Sequence, residues 1–532
     1  MRIARFVTFL LVLAMGGCGG GGGGGASPVP PPKLSVSLST SAPEIKTTEG
    51  QGASFTFIAK VANAPTGATP QVSVDESVFS AKSEIDSSVA GQYTVTLHTR
   101  ADLSSSLAAG QVSFRLCEDA ACNKPYAGSQ QSLAYSVNFR LRDWATAQRN
   151  ASHTGYAPIV LDPSKFKQLW SWWLPAAGAL NAPVTGEGKV FVSSDNYYGD
   201  NGLYAFDESS GKMLWSIVSG NLELDPPAYA NGFIFVHARE LKDSLWSYSL
   251  WMVKASTGAL VRRLPMNIGD TVLAPTPEGD TVFTNGAGWG GGVSAFGIAD
   301  GALRWQVSED YRYFTSPAAT EQNVFYYSGS ALTVYKRSGD RLITIRDAAG
   351  AITANSSDYQ AVPMIGSSDN VIALSGTQFS GHAGSSPAGG TSRPIVNLVW
   401  SGANPGTAWL SEGRYLTQPA LANGVVYAGT GAIYAVSGYT ARFDAIDEIT
   451  GKVLWSWTAP GGDTSFYRNV VVAKNLLFVS TDKNVYALDL KTHQPVWQAP
   501  YPGSLALFGE GMLAITTGGD LSDGRVTVIQ LH

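Results

Sequence analysis

The sequence predicts an all-β protein in which a β-sandwich precedes an eight-bladed β-propeller, the ring being closed by a strand from its own N-terminal side. Three observations carry this prediction. Apolar residues alternate at a period of two from Lys33 to about Arg142. Beyond Leu161 a unit of the form Ala-x-Asp-x-x-Ser/Thr-Gly-x-x-x-Trp recurs. Pro183, Pro227, Pro275, Pro317, Pro363 and Pro419 each open a short apolar segment, at intervals of roughly 42 to 56 residues that leave room for four strands.

Size and composition fit this reading. At 532 residues the chain exceeds one ordinary domain, and 44% hydrophobic residues with 14 Trp, 22 Tyr and 21 Phe supply a large core. The formal charge is −5 and no Lys/Arg run occurs, so the electrostatic footprint of a nucleic-acid binder is missing.

The N-terminal elements set the destination. Arg2 and Arg5 precede the apolar run from Phe6 to Met15, which is too short for a bilayer span and has a signal peptide's order of segments. Leu13 to Cys18 resembles a bacterial lipobox, although Met15 stands where Leu is usual. Residues 1–17 are therefore expected to be a lipoprotein signal peptide and Cys18 the lipidated residue. Gly19 after it resembles lipoproteins passed on to the outer membrane, with the chain facing the periplasm. Residues 18–32, with Gly19 to Gly25 and the proline cluster from Pro28, cannot form a core and read as a tether.

Residues 33–142 alternate through Val36, Phe57, Val95, Phe114 and Val137, with no 3.6-residue period between them. An immunoglobulin-like β-sandwich of about seven strands fits. Cys117 and Cys122 flank a short turn, and in an exported chain they are expected to form a local disulfide. Neither a second ligand pair for zinc nor a Cys-x-x-Cys-His haem motif accompanies them, so no metal is expected.

Residues 143–532 form the propeller. Ala205 to Trp215 and Ala445 to Trp455 match nearly position for position, and weaker copies end at Trp305, Trp497 and, with Arg in place of Trp, Arg262. Each is a strand, a tight Gly turn and a strand. The last unit ends at Leu531 without an outer Trp strand, while Gln168 to Trp172 stand ahead of the first unit without strands of their own. Joined, the two halves complete the eighth blade and remove an exposed edge.

These units resemble the repeat of PQQ-type propellers, and Asp143-Trp144, Arg149-Asn150 and His153 to Tyr156 resemble that family's lead-in. Members include quinoprotein dehydrogenases and the outer-membrane assembly factor BamB, itself a lipoprotein. The resemblance implies the fold more strongly than the function. The recurrence of Trp215, Trp305, Trp455 and Trp497 at one strand position favours packing between blades over a cofactor role, and Asp207, Asp447 and Asp489 stand where a carboxylate caps a turn. His153, His237, His382 and His493 lie in no catalytic motif.

The leading expectation is a non-catalytic envelope lipoprotein that binds a protein partner, with outer-membrane protein assembly as its most specific version. No cofactor is expected. A PQQ-dependent dehydrogenase, holding PQQ and Ca²⁺, is the alternative, and a glycan or cell-wall binding protein is a third. Topology places the candidate binding face on the loops between strands two and three together with the connections between blades. Its candidates are Tyr197, Tyr198, Trp246, Trp289, Tyr311, Arg312, Tyr313, Arg414, Tyr415, Tyr434, Tyr439, Tyr467 and Arg468, since Tyr, Trp and Arg combine contact area with a polar handle.

Overall fold

The computed structural model describes residues 32–39, 42–174, 178–195, 200–266, 273–285, 292–309, 314–347, 360–375, 393–430, 441–466, 468–519 and 522–532. Cys18 and the residues before it lie outside these.

The alternating N-terminal segment folds into two four-stranded sheets. One contains Ser35–Leu38, Ser54–Ala62, Gln92–His98 and Glu84–Asp86; the other contains Glu44–Thr48, Gln131–Arg140, Leu107–Cys117 and Thr69–Ser73. The inward positions of the period-two pattern, among them Phe57, Val95, Leu97, Phe114, Leu133 and Val137, form the shared core. Among the described residues the strands number eight, the short Glu84–Asp86 joining the edge of the first sheet. Cys117 and Cys122 are joined by a disulfide that ties the end of one strand to the following turn.

Among the described residues eight sheets of four main antiparallel strands follow in a ring, with one short two-stranded sheet besides. Their innermost strands are Val184–Gly186, Ala228–Ala230, Thr276–Glu278, Ala318–Ala319, Met364–Ile365, Ala420–Ala422, Val471–Val472 and Ser504–Phe508, which number blades 1 to 8. The outer strand of blade 8 is Lys167–Trp173, which pairs antiparallel with Ser522–Gln530 and sets Trp170 opposite Val528. The ring is thus closed by hydrogen bonds between the two ends of the propeller.

One irregularity repeats in all eight blades. Where strand three meets strand four the register slips by one residue, as between Ala205 opposite Trp215 and Phe206 opposite Met213. The same slip recurs around the ring. A bulge of this kind leaves one residue of the outer strand unpaired and turns its neighbours. The unpaired residues include Leu169, Leu214, Val261, Leu342, Leu454 and Val496, all among the exposed aliphatics.

Beside the bulge, the Trp of several outer strands is aimed at the next blade. Trp170, Trp215, Trp305 and Trp409 donate their indole N–H to carbonyls of Glu208, Ala255, Arg337 and Glu448 at 2.9, 2.9, 2.8 and 2.8 Å. The acceptors belong to the turn between strands three and four of the following blade. The rings lie on that turn's glycine: a β-carbon on Gly211 would lie 2.5 Å from Trp170, and one on Gly451 2.7 Å from Trp409. Both glycines also hold positive φ, 68° and 69°. Glycine is required twice over, by conformation and by space. The turn aspartates act as caps, Asp207 Oδ1 accepting the Ser210 N–H at 2.8 Å and Asp447 Oδ1 that of Thr450 at 2.7 Å. Turn hydroxyls and amides hold the Asp207 carboxyl down at about 2.

Trp170 joins the seam to blade 1 through both a packed ring and a hydrogen bond. Trp170→Ala is expected to lower stability by about 3–5 kcal/mol, and deletion of residues 167–173 to expose an unpaired edge and cause aggregation. Denaturant melts with light scattering would check both, and an unchanged midpoint for the deletion would reject this closure.

Candidate binding face of the propeller

The alternation of strand direction gives the propeller two unlike ends. Turns between strands one and two and between strands three and four lie at one end, here called the turn end. Connections between strands two and three and between blades lie at the other, the loop end.

The turn end is covered by the chain itself. Residues 143–161 form a strap that meets the blades in sequence. The carbonyls of Trp144, Ala145, Ala151, Ser152, Thr154 and Gly155 accept amides of Thr185, Tyr229, Ala319, Ile365, Leu421 and Val472 at 2.7–3.0 Å. Thr146 Oγ1 donates to Pro275 O of blade 3 at 2.6 Å, and Gln148 Nε2 reaches Pro419 O and Val470 O at 2.5 and 3.2 Å. His153, fully buried, sets Nδ1 3.0 Å from Pro363 O and Nε2 3.1 Å from Thr276 Oγ1. Seven blades are therefore engaged before the strap leads on to Lys167–Trp173 in the eighth. The sandwich sits on the same end: Leu141 N donates to Gly509 O at 2.7 Å, and Arg140 holds Glu208 with two bonds of 2.5 and 2.8 Å.

The candidate residues are expected at the loop end. Tyr197, Tyr198, Trp289, Tyr311, Arg312, Tyr313, Tyr434, Tyr439 and Tyr467 lie outside the described residues. Trp246 is placed differently from expectation, because the segment from His237 to Tyr248 is not a loop. Phe233–Lys242 and Leu245–Lys254 continue as one long hairpin with a two-residue turn at Asp243 and Ser244, whose φ values are 51° and 65°. At its tip Leu245 is 74% and Trp246 43% exposed. Nearer its base Arg263 bonds Glu240 at 2.7 and 3.0 Å and Arg239 pairs with Glu223. Arg414 is exposed on the connection between blades 5 and 6. Arg468 is half-buried, with Nη2 3.3 Å from Gly518 O.

Tyr415, expected on the binding face, is instead buried, and its hydroxyl donates to Asp444 at 2.8 Å. Burial and the neighbouring Asp444 carboxylate push its phenol up. Backbone bonds to Arg393 in both directions, 2.8 and 2.6 Å, lock it into the blade, so it fills space rather than facing a partner.

Sequence reasoning missed the buried carboxylates that tie the blades together at this end. Asp347 accepts from Tyr327 and Ser375 at 2.6 and 2.5 Å, bridging blades 4 and 5. Asp444 accepts from Ser456 and Arg442 besides Tyr415, at 2.6 and 2.8 Å. Asp463 accepts from Thr481 and Tyr486 at 2.7 and 2.9 Å. Buried carboxylates so supplied with donors serve packing. Trp409 was missed too, because its blade lacks the Ala-x-Asp turn. His237 lies between blades, with Nε2 2.5 Å from Thr284 Oγ1 and Nδ1 3.6 Å from Asp225 Oδ2.

Comparison with known proteins completes the picture. The family described as outer membrane protein assembly factor BamB matches residues 151–378, 249–499 and 397–529, overlapping segments that together span more than half of the chain. This chain belongs to that family. Among its relatives, BamB of Moranella endobia is 21% identical over 360 residues, covering 64% of this chain and 74% of that protein. The tetrathionate hydrolase of Acidithiobacillus ferrooxidans is 22% identical over 434 residues, covering 69% of this chain and 81% of that protein. Solved structures that resemble it include BamB from Moraxella catarrhalis, with a TM-score of 0.45 and 16% identity over 69% of this chain and 97% of that one. Another is the quinohemoprotein alcohol dehydrogenase from Comamonas testosteroni, with a TM-score of 0.49 and 13% identity over 73% and 80%. The BamB family match begins within the strap and leaves the sandwich outside it.

Burial lowers both His153 and His237 to about 4. Each is therefore neutral in the folded protein at pH 7 but takes up a proton near pH 6.5 when unfolded. The unfolded chain binds more protons between pH 6.5 and 4, so stability falls as pH drops through that window and is level above it. Each histidine is expected to withdraw on the order of 3 kcal/mol across the window. Melting temperatures from pH 8 to 4 should show this decline, and His153→Gln and His237→Gln should each flatten it; parallel profiles would refute the assignment.

Proposed function

We propose that the protein is a non-catalytic scaffold lipoprotein of the bacterial cell envelope, anchored through Cys18 at the outer membrane and facing the periplasm. Its propeller binds an envelope protein through the loop end, with outer-membrane protein assembly as its most specific role. One observation carries the choice of face. The strap and the sandwich occupy the turn end, whereas among the described residues Trp246 and Arg414 are exposed at the loop end. Aromatic and arginine side chains concentrate binding energy at protein interfaces. The family match supports an envelope role.

The dehydrogenase alternative would require oxygen ligands for Ca²⁺ converging beside a quinone. Among the described residues no three His, Cys, Asp or Glu side chains converge. Asp347, Asp444 and Asp463 spend their oxygens on donors of their own chain. These described carboxylates are therefore committed to packing.

A photo-crosslinking residue at position 246 or 414 in cells is expected to capture one defined envelope protein, and the same residue at Lys212 or Lys452, exposed at the turn end, to capture none. Trp246→Ala with Arg414→Ala should weaken that capture at least tenfold without altering melting, and Cys18→Ser should move the protein out of the membrane fraction. Capture from the turn end alone, or dye-linked alcohol oxidation after addition of PQQ and Ca²⁺, would overturn the reading.

A further inference from the structure

The strap carries a charge that the propeller does not neutralise. Arg149 is 5% exposed. Its φ is 81°, next to Gln148 at 52° and close to His153 at 55°, left-handed backbone that non-glycine residues keep only where their surroundings hold it. One arm of the guanidinium donates to Tyr156 O at 2.5 Å within the strap. The other donates to the Glu49 carboxylate, on the tight turn of the sandwich between Glu44–Thr48 and Ser54–Ala62. Glu49 is aimed by a second contact, its Oε2 accepting Arg142 N at 3.0 Å. Among the described residues Arg149 Nε has no hydrogen-bond partner, so the charge depends on Glu49.

Other contacts follow the same path. Val160 at the far end of the strap donates to Ser104 O of the sandwich at 2.7 Å. Phe139 and Leu141, on and after the last sandwich strand, share one apolar cluster with Trp144 of the strap and Leu507 and Leu531 of the ring, and Leu103 packs against it. The sandwich thus holds the strap at its start, its charged centre and its exit.

We propose that the sandwich is a clamp on the strap, so that its docking and the sealing of the turn end are a single equilibrium. While Glu49 is seated the strap stays bonded across the innermost strands at that end. When the sandwich lifts away, the strap keeps a buried guanidinium without a counter-ion and a strained backbone without support, and it follows. Breaking one partner of a buried pair is costly because the other charge stays behind. This assigns the sandwich's contact surface to its own chain and does not depend on the identity of the partner at the loop end.

Hydrogen exchange of the full-length protein tests it. The amides of Ala319, Ile365, Leu421 and Val472 donate to strap carbonyls and report on its seat. In Glu49→Gln they should exchange at least tenfold faster, while amides of the blade ladders and the control Glu84→Gln, on the sandwich's edge strand, stay as in the wild type. In Glu49→Met with Arg149→Met the rate should fall back below that of Glu49→Gln, because no unpaired charge remains. If Glu49→Gln does not fold, the wild type decides alone: under rising urea the four strap-reporting amides should open together with the sandwich and before the ladders. Unchanged exchange in Glu49→Gln, additive effects in the double variant, or strap amides that open only with the ladders would overturn the clamp.

Discussion

A ring of sheets has one seam, and here hydrogen bonds between Lys167–Trp173 and Ser522–Gln530 hold it. Much of the architecture follows from that constraint. Because the missing outer strand comes from before the first blade, the chain must reach the rim of blade 8 from the sandwich side, and it does so by crossing the turn end. Crossing there without burying orphan amides means bonding to what is already there, the innermost strands. The strap's carbonyls take those amides blade by blade. The seam thus decides which end is sealed.

Around the rim the same coupling is repeated locally. A Trp from one blade sits on the turn of the next, so each blade supplies part of its neighbour's core. Where the Trp is missing, other groups take over: Arg262 lies against Gly301 at the boundary of blades 2 and 3. Trp455 meets His493 rather than glycine and stacks on it at 4.3 Å. The repeat tolerates such exchanges because the contact needs a flat or long side chain over a turn, not one particular pair.

The fold was legible because its cause is periodic. Alternation named the inward faces of the sandwich strands, and the recurring Trp-and-Gly units marked the blades and the seam. The loop-end residues were only partly legible. Trp246 was recognisable as exposed, but nothing in its local sequence separates a loop from two strands that run on past their neighbours. Tyr415 reads like a surface aromatic until the fold brings Asp444 beneath it. Asp347 and Asp463 find their partners across blade boundaries, a relation that no spacing encodes. Nor could Glu49 and Arg149 be paired from the sequence, since they belong to different folding units a hundred residues apart.

The bulge in each outer strand has another effect. An eight-bladed ring presents outer strands all round its rim, each a row of unpaired backbone groups open to a strand from another molecule. Breaking the register once in every outer strand means that no foreign strand can run along one without meeting a misplaced residue. The exposed leucines and valines at those breaks, which look like an invitation to aggregate, mark the points where the edge is spoiled as a template. The geometry that locks blade to blade inside the molecule also keeps one molecule from stitching itself to the next.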